Sequence, residues 1–169
     1  MTFSELINAR YSVRAYQDRP VEDDKLRAIL EAARLAPTAI NSQPFQLIVI
    51  HVRGREDELK PIYRRDWLFQ APLLICVCAL PDAAWVRRDG LSYHRVDATI
   101  VMDHIILAAT EQGLGTCWVA AFDPDAMRTV LHLPENVEPV VLTPLGYAAD
   151  QAKERVRKPL EELVRYERW

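Results

Sequence analysis

Apolar positions recur along this chain in distinguishable rhythms, and each rhythm predicts its own kind of element. Leu26, Ile29, Leu30 and Ala33 are spaced three and four apart and so share one face of a helix. That helix opens after Pro20 on the acidic run Glu22-Asp23-Asp24, which suits the positive end of its dipole, and Pro37 ends it. Leu47 to Ile50 run without a break inside Phe45 to Val52, and a second such run covers Leu73 to Leu80. Unbroken apolar runs of this length predict strands buried on both faces. From Asp97 to Gln112 the apolar residues, among them Ala98, Val101, Ile105 and Ala109, go nearly all the way round. That pattern predicts a helix buried in the middle of the molecule, stopped at Gly113. Thr116 to Phe122 and Val137 to Tyr147 predict a third and a fourth strand, the last interrupted by Pro144. Pro139 is tolerated at a strand start or on an edge.

Polar residues punctuate these elements. Thr2 with Glu5 forms a capping box for a short helix over residues 3 to 9, which delivers Arg10 at its end. Asp123-Pro124 opens another helix with a capping acid and a first-turn proline. Prolines bracket the loop Pro37 to Pro44, which carries two amides, Asn41 and Gln43. Residues 55 to 70 read as short helical pieces broken at Pro61, and 81 to 95 as an irregular segment, either a pocket rim or a plain surface loop. The last stretch, 148 to 169, holds Leu160, Leu163, Val164, Tyr166 and Trp169, too much apolar surface for a free tail. Helices interleaved with strands around one sheet give a mixed α/β or α+β domain.

Composition narrows the chemistry. The chain of 169 residues, half of them apolar, fits one domain spanning residues 1 to 169. A formal charge of -3 lacks the basic excess that nucleic-acid binding by a whole domain requires, so any anion site has to be local. No apolar run is long enough to span a bilayer. Cys76, Cys78 and Cys117 form an odd set in apolar surroundings, and the start MTFSEL lacks the charged-then-apolar pattern of a signal peptide, so a reduced, cytoplasmic protein is expected. Cys76 and Cys78 would share a strand face, yet no second Cys or His pair stands at ligand spacing, and buried free thiols are expected instead of a metal site. Gly113-Leu114-Gly115 lacks the third glycine of a dinucleotide fingerprint and precedes a strand, which argues against a Rossmann site. Neither a P-loop nor a G-x-S-x-G elbow occurs.

One stretch carries positive chemistry: Arg10-Tyr11-Ser12-Val13-Arg14. In an extended backbone Arg10, Ser12 and Arg14 alternate onto one face. Two guanidinium groups and a hydroxyl converging there suit a phosphate monoester, through paired charge-assisted hydrogen bonds and one neutral bond. The competing reading is a solvated basic turn.

The runs RYSVRAYQDRPV, APTAINSQPFQLIVI, LAATEQGLGTCWVAAFDP and ERVRKPLEELVRYERW, in this order, resemble the nitroreductase family of FMN-dependent oxidoreductases over nearly the whole chain. The resemblance implies an α+β fold with a central mixed β-sheet flanked by helices, in a homodimer whose C-terminal arm, residues 150 to 169, packs on the partner subunit. It implies two flavins in the subunit interface. Arg10, Tyr11 and Ser12 then match the phosphate-binding stretch, and Arg14 the cation at the pyrimidine edge of the flavin. Pro37, Thr38, Ala39 and Asn41 match a loop that reaches the partner's flavin. Trp118, Val119, Ala120 and Ala121 match the strand whose backbone passes the ring edge near N5, and Arg155 and Arg157 match basic residues closing over the phosphate. Ala120 and Ala121 stand where better-studied members have an acidic residue and a glycine, which leaves only backbone contacts there. Their polar residues also have no clear counterpart around Arg64 to Trp67, and the short segment 81 to 95 implies a more open pocket.

The activity so implied is ping-pong hydride transfer from NAD(P)H through flavin N5 to a small acceptor such as a nitroaromatic or a quinone, with no side chain as acid or base. Two alternatives stand beside it. One is a relative of the same fold that cleaves flavin, removes halogen or oxidises azolines, and the other is a dimeric flavin-binding module without turnover.

Overall fold

The first helix, α1 (Phe3–Ala9), starts on the expected capping box: the Glu5 amide donates to Thr2 Oγ1 and the Thr2 amide to Glu5 Oε2. The structure is a computed structural model that describes residues 1–169. After α2 (Asp23–Arg34) come β1 (Phe45–His51), the single turn α3 (Glu56–Leu59), β2 (Leu73–Ala79) and the long α4 (His94–Glu111). The chain continues through β3 (Gly115–Thr116), α5 (Pro124–Val130), β4 (Glu138–Gly146) and a last turn, α6 (Leu160–Leu163).

The four strands pair in the order β1-β2-β4-β3, and every pairing between them is antiparallel. The expected mixture of directions therefore reduces to one parallel bridge, between Ser12 and Thr116 at the β3 edge. β2 is buried throughout, as its apolar run predicts. Its odd residues Leu73, Ile75, Val77 and Ala79 join a core with Ile29 of α2 and Val101, Met102 and Ile105 of α4. Its even residues Leu74, Cys76 and Cys78 join a second core with Leu59, Ile62, Leu68 and Met127 on the opposite face. Each fully buried aliphatic side chain contributes roughly 1.5–3 kcal/mol, so this strand is the hinge of both cores.

β1 departs from expectation. It is an edge strand with only β2 beside it, so Gln46 and His51 are exposed and only Ile50 is fully buried. The third strand is much shorter than Thr116 to Phe122, because the register sets Cys117 opposite Pro144, which has no N–H to offer. The Cys117 amide turns to Thr143 Oγ1 instead, at 3.2 Å, and pairing resumes only as a bridge between Val119 and Leu142. β4 itself runs on through Pro144. Between residues 55 and 70, Pro61 opens a turn of 3-10 helix (Lys60–Ile62) instead of breaking one.

α4 begins three residues before Asp97, at His94, whose ring bonds Ser92 Oγ and the Glu138 carboxylate. It is not covered on all sides: Val96 is exposed, and Ile100 and Leu107 stay half-buried on the same face. Ile100 still packs against the core that holds Val101 and Ile105, so the stripe is partly open and fully exposed only at Val96.

Candidate functional site

Gly115 explains how the basic stretch is set. A Cβ there would lie 2.6 Å from Val13 Cγ2, so the absent side chain lets residues 10 to 14 run directly against β3. Val13, only 1 % exposed, plugs that gap while its amide donates to the Thr116 carbonyl at 2.9 Å. With Val13 turned in, Arg10, Ser12 and Arg14 turn out, as alternation requires.

They face the base of the C-terminal arm across a cleft of about 320 Å³. The arm base is tied to residues 8 to 17 of its own subunit. Ala149 donates its amide to the Ala15 carbonyl, Gln17 Nε2 donates to the Ala148 carbonyl, and the Tyr11 hydroxyl donates to the Asp150 carbonyl. The Arg14 amide donates to Asp150 Oδ2 at 2.8 Å. Burial, then the nearby Asp150, pushes the Tyr11 hydroxyl above its ordinary pKa. Arg155 lines the cleft too, but its guanidinium donates to the Asn8 and Arg10 carbonyls and so closes the C-terminal end of α1. Arg157 reaches no acceptor beyond the neighbouring Val156 carbonyl.

The cleft thus gathers Arg10, Arg14, Lys153, Arg155 and Arg157 against Asp150 and Glu154, with none of these groups among the ion pairs of the fold. Arg14's guanidinium makes only a long bond, 3.4 Å, to the Ser12 carbonyl. Such an arrangement leaves positive charge for a bound dianion.

Trp118 lines an adjoining cleft of about 240 Å³ with Arg10, Ser12 and Cys117. Beyond it the chain alternates. Val119 is buried, with its amide spent on the Leu142 carbonyl, whereas Trp118, Ala120 and Ala121 face outward with amides that no carbonyl of the subunit accepts. Any backbone contact to a ligand here comes from those three and not from Val119.

Pro37, Thr38, Ala39 and Asn41 are not brought to this cleft. They form a separate loop beside the start of α4. Ile40, Asn41 and Gln43 all have positive φ, at 49°, 57° and 50°. For non-glycine residues that costs roughly 1–2 kcal/mol each, so something must hold the loop. Asp97, 1 % exposed, accepts the Ala39 amide at 2.9 Å, and Thr38 Oγ1 accepts the Gln43 amide at 3.0 Å. The Asn41 side chain is exposed and finds no partner in its own subunit. Sequence reasoning missed Asp97, Asp150 and Lys153. Asp97 sat in an apolar helix as an anomaly that pointed to a buried role, while nothing in the order of residues marked the other two.

A profile of the family described as "Nitroreductase family" matches residues 7–64 and 53–147. The chain belongs to the nitroreductase family. It is 31 % identical over 155 residues to a putative NADH dehydrogenase/NAD(P)H nitroreductase of Methanothermobacter thermautotrophicus, covering 89 % of this chain and 79 % of that protein. It is 28 % identical over 169 residues to the FMN reductase [NAD(P)H] of Bacillus subtilis, covering 90 % and 68 %. Among solved structures, a nitroreductase family protein of Clostridium difficile 630 superposes with a TM-score of 0.92 at 41 % identity over 100 % of both chains. An FMN-dependent nitroreductase of Clostridium difficile R20291 gives 0.82 at 26 % identity, covering 97 % and 98 %. This family's fold is therefore the fold of this chain.

Proposed function

We propose that this nitroreductase family member is an NAD(P)H-dependent FMN oxidoreductase that works as a homodimer, passing hydride to a small conjugated acceptor such as a nitroaromatic or a quinone. The observation that carries the reading is the cleft between residues 10–14 and 150–157, where cations outnumber carboxylates and Arg10 and Arg14 are left without counter-ions. These residues fit FMN: Arg10, Ser12 and Arg157 would hold its phosphate, and Arg14 would supply a cation toward the pyrimidine edge. FMN, once bound, supplies the acceptor and donor of hydride. The protein's part is to bind, orient and exclude water. Trp118, Ala120 and Ala121 would offer backbone donors to the ring, and Arg14 would favour its anionic reduced form.

The single domain is completed by a partner. Tyr166 and Trp169 are 84 % and 104 % exposed, and Leu160 and Leu163 are also uncovered. With Ile40 and the open face of α4 they make apolar surface that a second subunit covers. In that arrangement the Asn41 loop of one subunit meets the flavin held by Arg10 of the other, and the arm tip lies over the partner. No helix is long and apolar enough to cross a membrane.

The experiment is an anaerobic spectrum. Purified protein loaded with FMN bleaches when NADH or NADPH is added and recovers its colour with a nitroaromatic or quinone. A flavin that stays oxidised with both nicotinamides defeats the enzymatic reading and leaves a binding module.

A further inference from the structure

A cleft that binds phosphate has no evident use for Asp150, yet this carboxylate is fixed inside it. Its Oδ2 accepts the Arg14 amide at 2.8 Å, its main-chain carbonyl accepts the Tyr11 hydroxyl, and its Oδ1 is buried without any donor. It forms no ion pair with the cations around it. A half-satisfied carboxylate is costly to retain, and its charge is not cancelled at contact. Two neighbours feel it together with Arg14. Burial is the largest cause lifting both the Cys117 thiol and the Tyr16 hydroxyl above their ordinary pKa values. Arg14 lowers each and Asp150 raises each. The two charges act on common ground with opposite sign.

We propose that Asp150 sets the reduction potential of the bound flavin, as the counter-charge that holds it below the value Arg14 alone would give. The inference rests on FMN occupying this cleft. A cation beside the pyrimidine edge favours the anionic reduced ring, and an anion fixed one hydrogen bond from that cation's backbone opposes it. A lower potential makes the reduced cofactor a stronger donor to poor acceptors. Asp150 is a positioning residue for Arg14 as well, since it holds the Arg14 amide, and the two roles separate experimentally.

Four FMN-loaded proteins decide it: wild type, Asp150→Asn, Arg14→Gln and the double variant, each titrated anaerobically against redox dyes. Asparagine keeps an oxygen for the Arg14 amide and removes the charge, and its NH2 takes the buried Oδ1 position, which has no donor to lose. The expected result is a potential raised in Asp150→Asn by about 30 mV, which is a tenfold shift in a two-electron equilibrium, and lowered in Arg14→Gln. The Asp150→Asn rise persists in the Arg14→Gln background. FMN binding to Asp150→Asn is as tight as wild type or tighter, because a negative charge leaves the neighbourhood of the phosphate. In the cofactor-free protein, the pH midpoint of Cys117 alkylation falls in Asp150→Asn and rises in Arg14→Gln.

An unchanged or lower potential in Asp150→Asn overturns the proposal, as does loss of FMN from it. So does a rise that vanishes when Arg14 is already Gln, since Asp150 would then act only by placing Arg14. A rise in Asp150→Asn with no change in Arg14→Gln upholds Asp150 and removes Arg14 from the pyrimidine edge. A wild type that binds no FMN overturns this inference together with the proposed function, whatever Cys117 does.

Discussion

Residues 10–14 and the loop 37–43 both carry polar groups without partners, but they are held in different ways. The first is an ordinary extended segment bonded on one side to β3 and on the other to the arm base, and its side chains converge on a cleft within the same subunit. The second is a strained loop pinned by Asp97 that presents Asn41 to open space. A site that binds within one subunit needs no strain to be complete. A loop kept in the left-handed region by a buried carboxylate is strain of the kind that gathers at functional sites, and the exposed Ile40 and Val96 near it are apolar surface that the proposed second subunit would cover. The difference teaches that, on the proposed reading, one half of the binding site is assembled by local pairing and the other half by symmetry.

The largest effect is expected on the first half. If Arg10 holds the FMN phosphate as proposed, Arg10→Ala removes a charge-assisted bond worth about 1.5–3 kcal/mol, so affinity falls tenfold or more, read by flavin fluorescence. An unchanged dissociation constant would place the phosphate elsewhere. Gly115→Ala attacks the same half from below. Its methyl group meets Val13 Cγ2 at 2.6 Å, so the fold loses about 1–3 kcal/mol in a denaturant titration and FMN binds more weakly as residues 10–14 are pushed off β3. Wild-type stability in that variant would mean that Val13 yields freely.

On the loop side, Asp97→Ala frees the Ala39 amide, whose hydrogen exchange should speed up about tenfold, with Asp97→Asn close to wild type. Equal exchange in all three proteins would show that the loop is held by Thr38 alone. The smallest effect lies outside both. Hydrogen bonds to Glu22 from Tyr147, then from its own backbone N–H, then from Arg19 hold its carboxyl down at about 2 against an ordinary 4.5. A depressed folded-state value contributes stability above pH 4.5 that fades as pH falls toward 2, so Glu22→Gln should lower Tm slightly at pH 7 and not at pH 2.

What was legible in the sequence follows the range of the interactions. The capping box at Thr2 and Glu5, the two-faced burial of β2 and the outward alternation of Arg10, Ser12 and Arg14 depend on neighbours a few residues apart. The shortening of the third strand depended on Pro144 falling opposite Cys117, a register that no local pattern states. Arg155 was expected to reach a phosphate, and it lines that cleft, but its donors go to α1, a contact spanning well over a hundred residues of chain. Asp150 was invisible for the same reason. The loop was recognised from its prolines, yet only Asn41 among its left-handed residues is of a type that favours that conformation, and Ile40 gave no sign.

The most direct test of a site shared between subunits mixes two defective proteins. Arg10→Ala and Asn41→Ala are each expected to hold FMN poorly. Unfolded and refolded together, they pair at random, and in mixed dimers one of the two sites has both residues intact. About a quarter of all sites should then regain tight FMN, measured as flavin retained through gel filtration. No recovery from a mixture whose chains have demonstrably exchanged, or a monomer by sedimentation, would contradict the shared site.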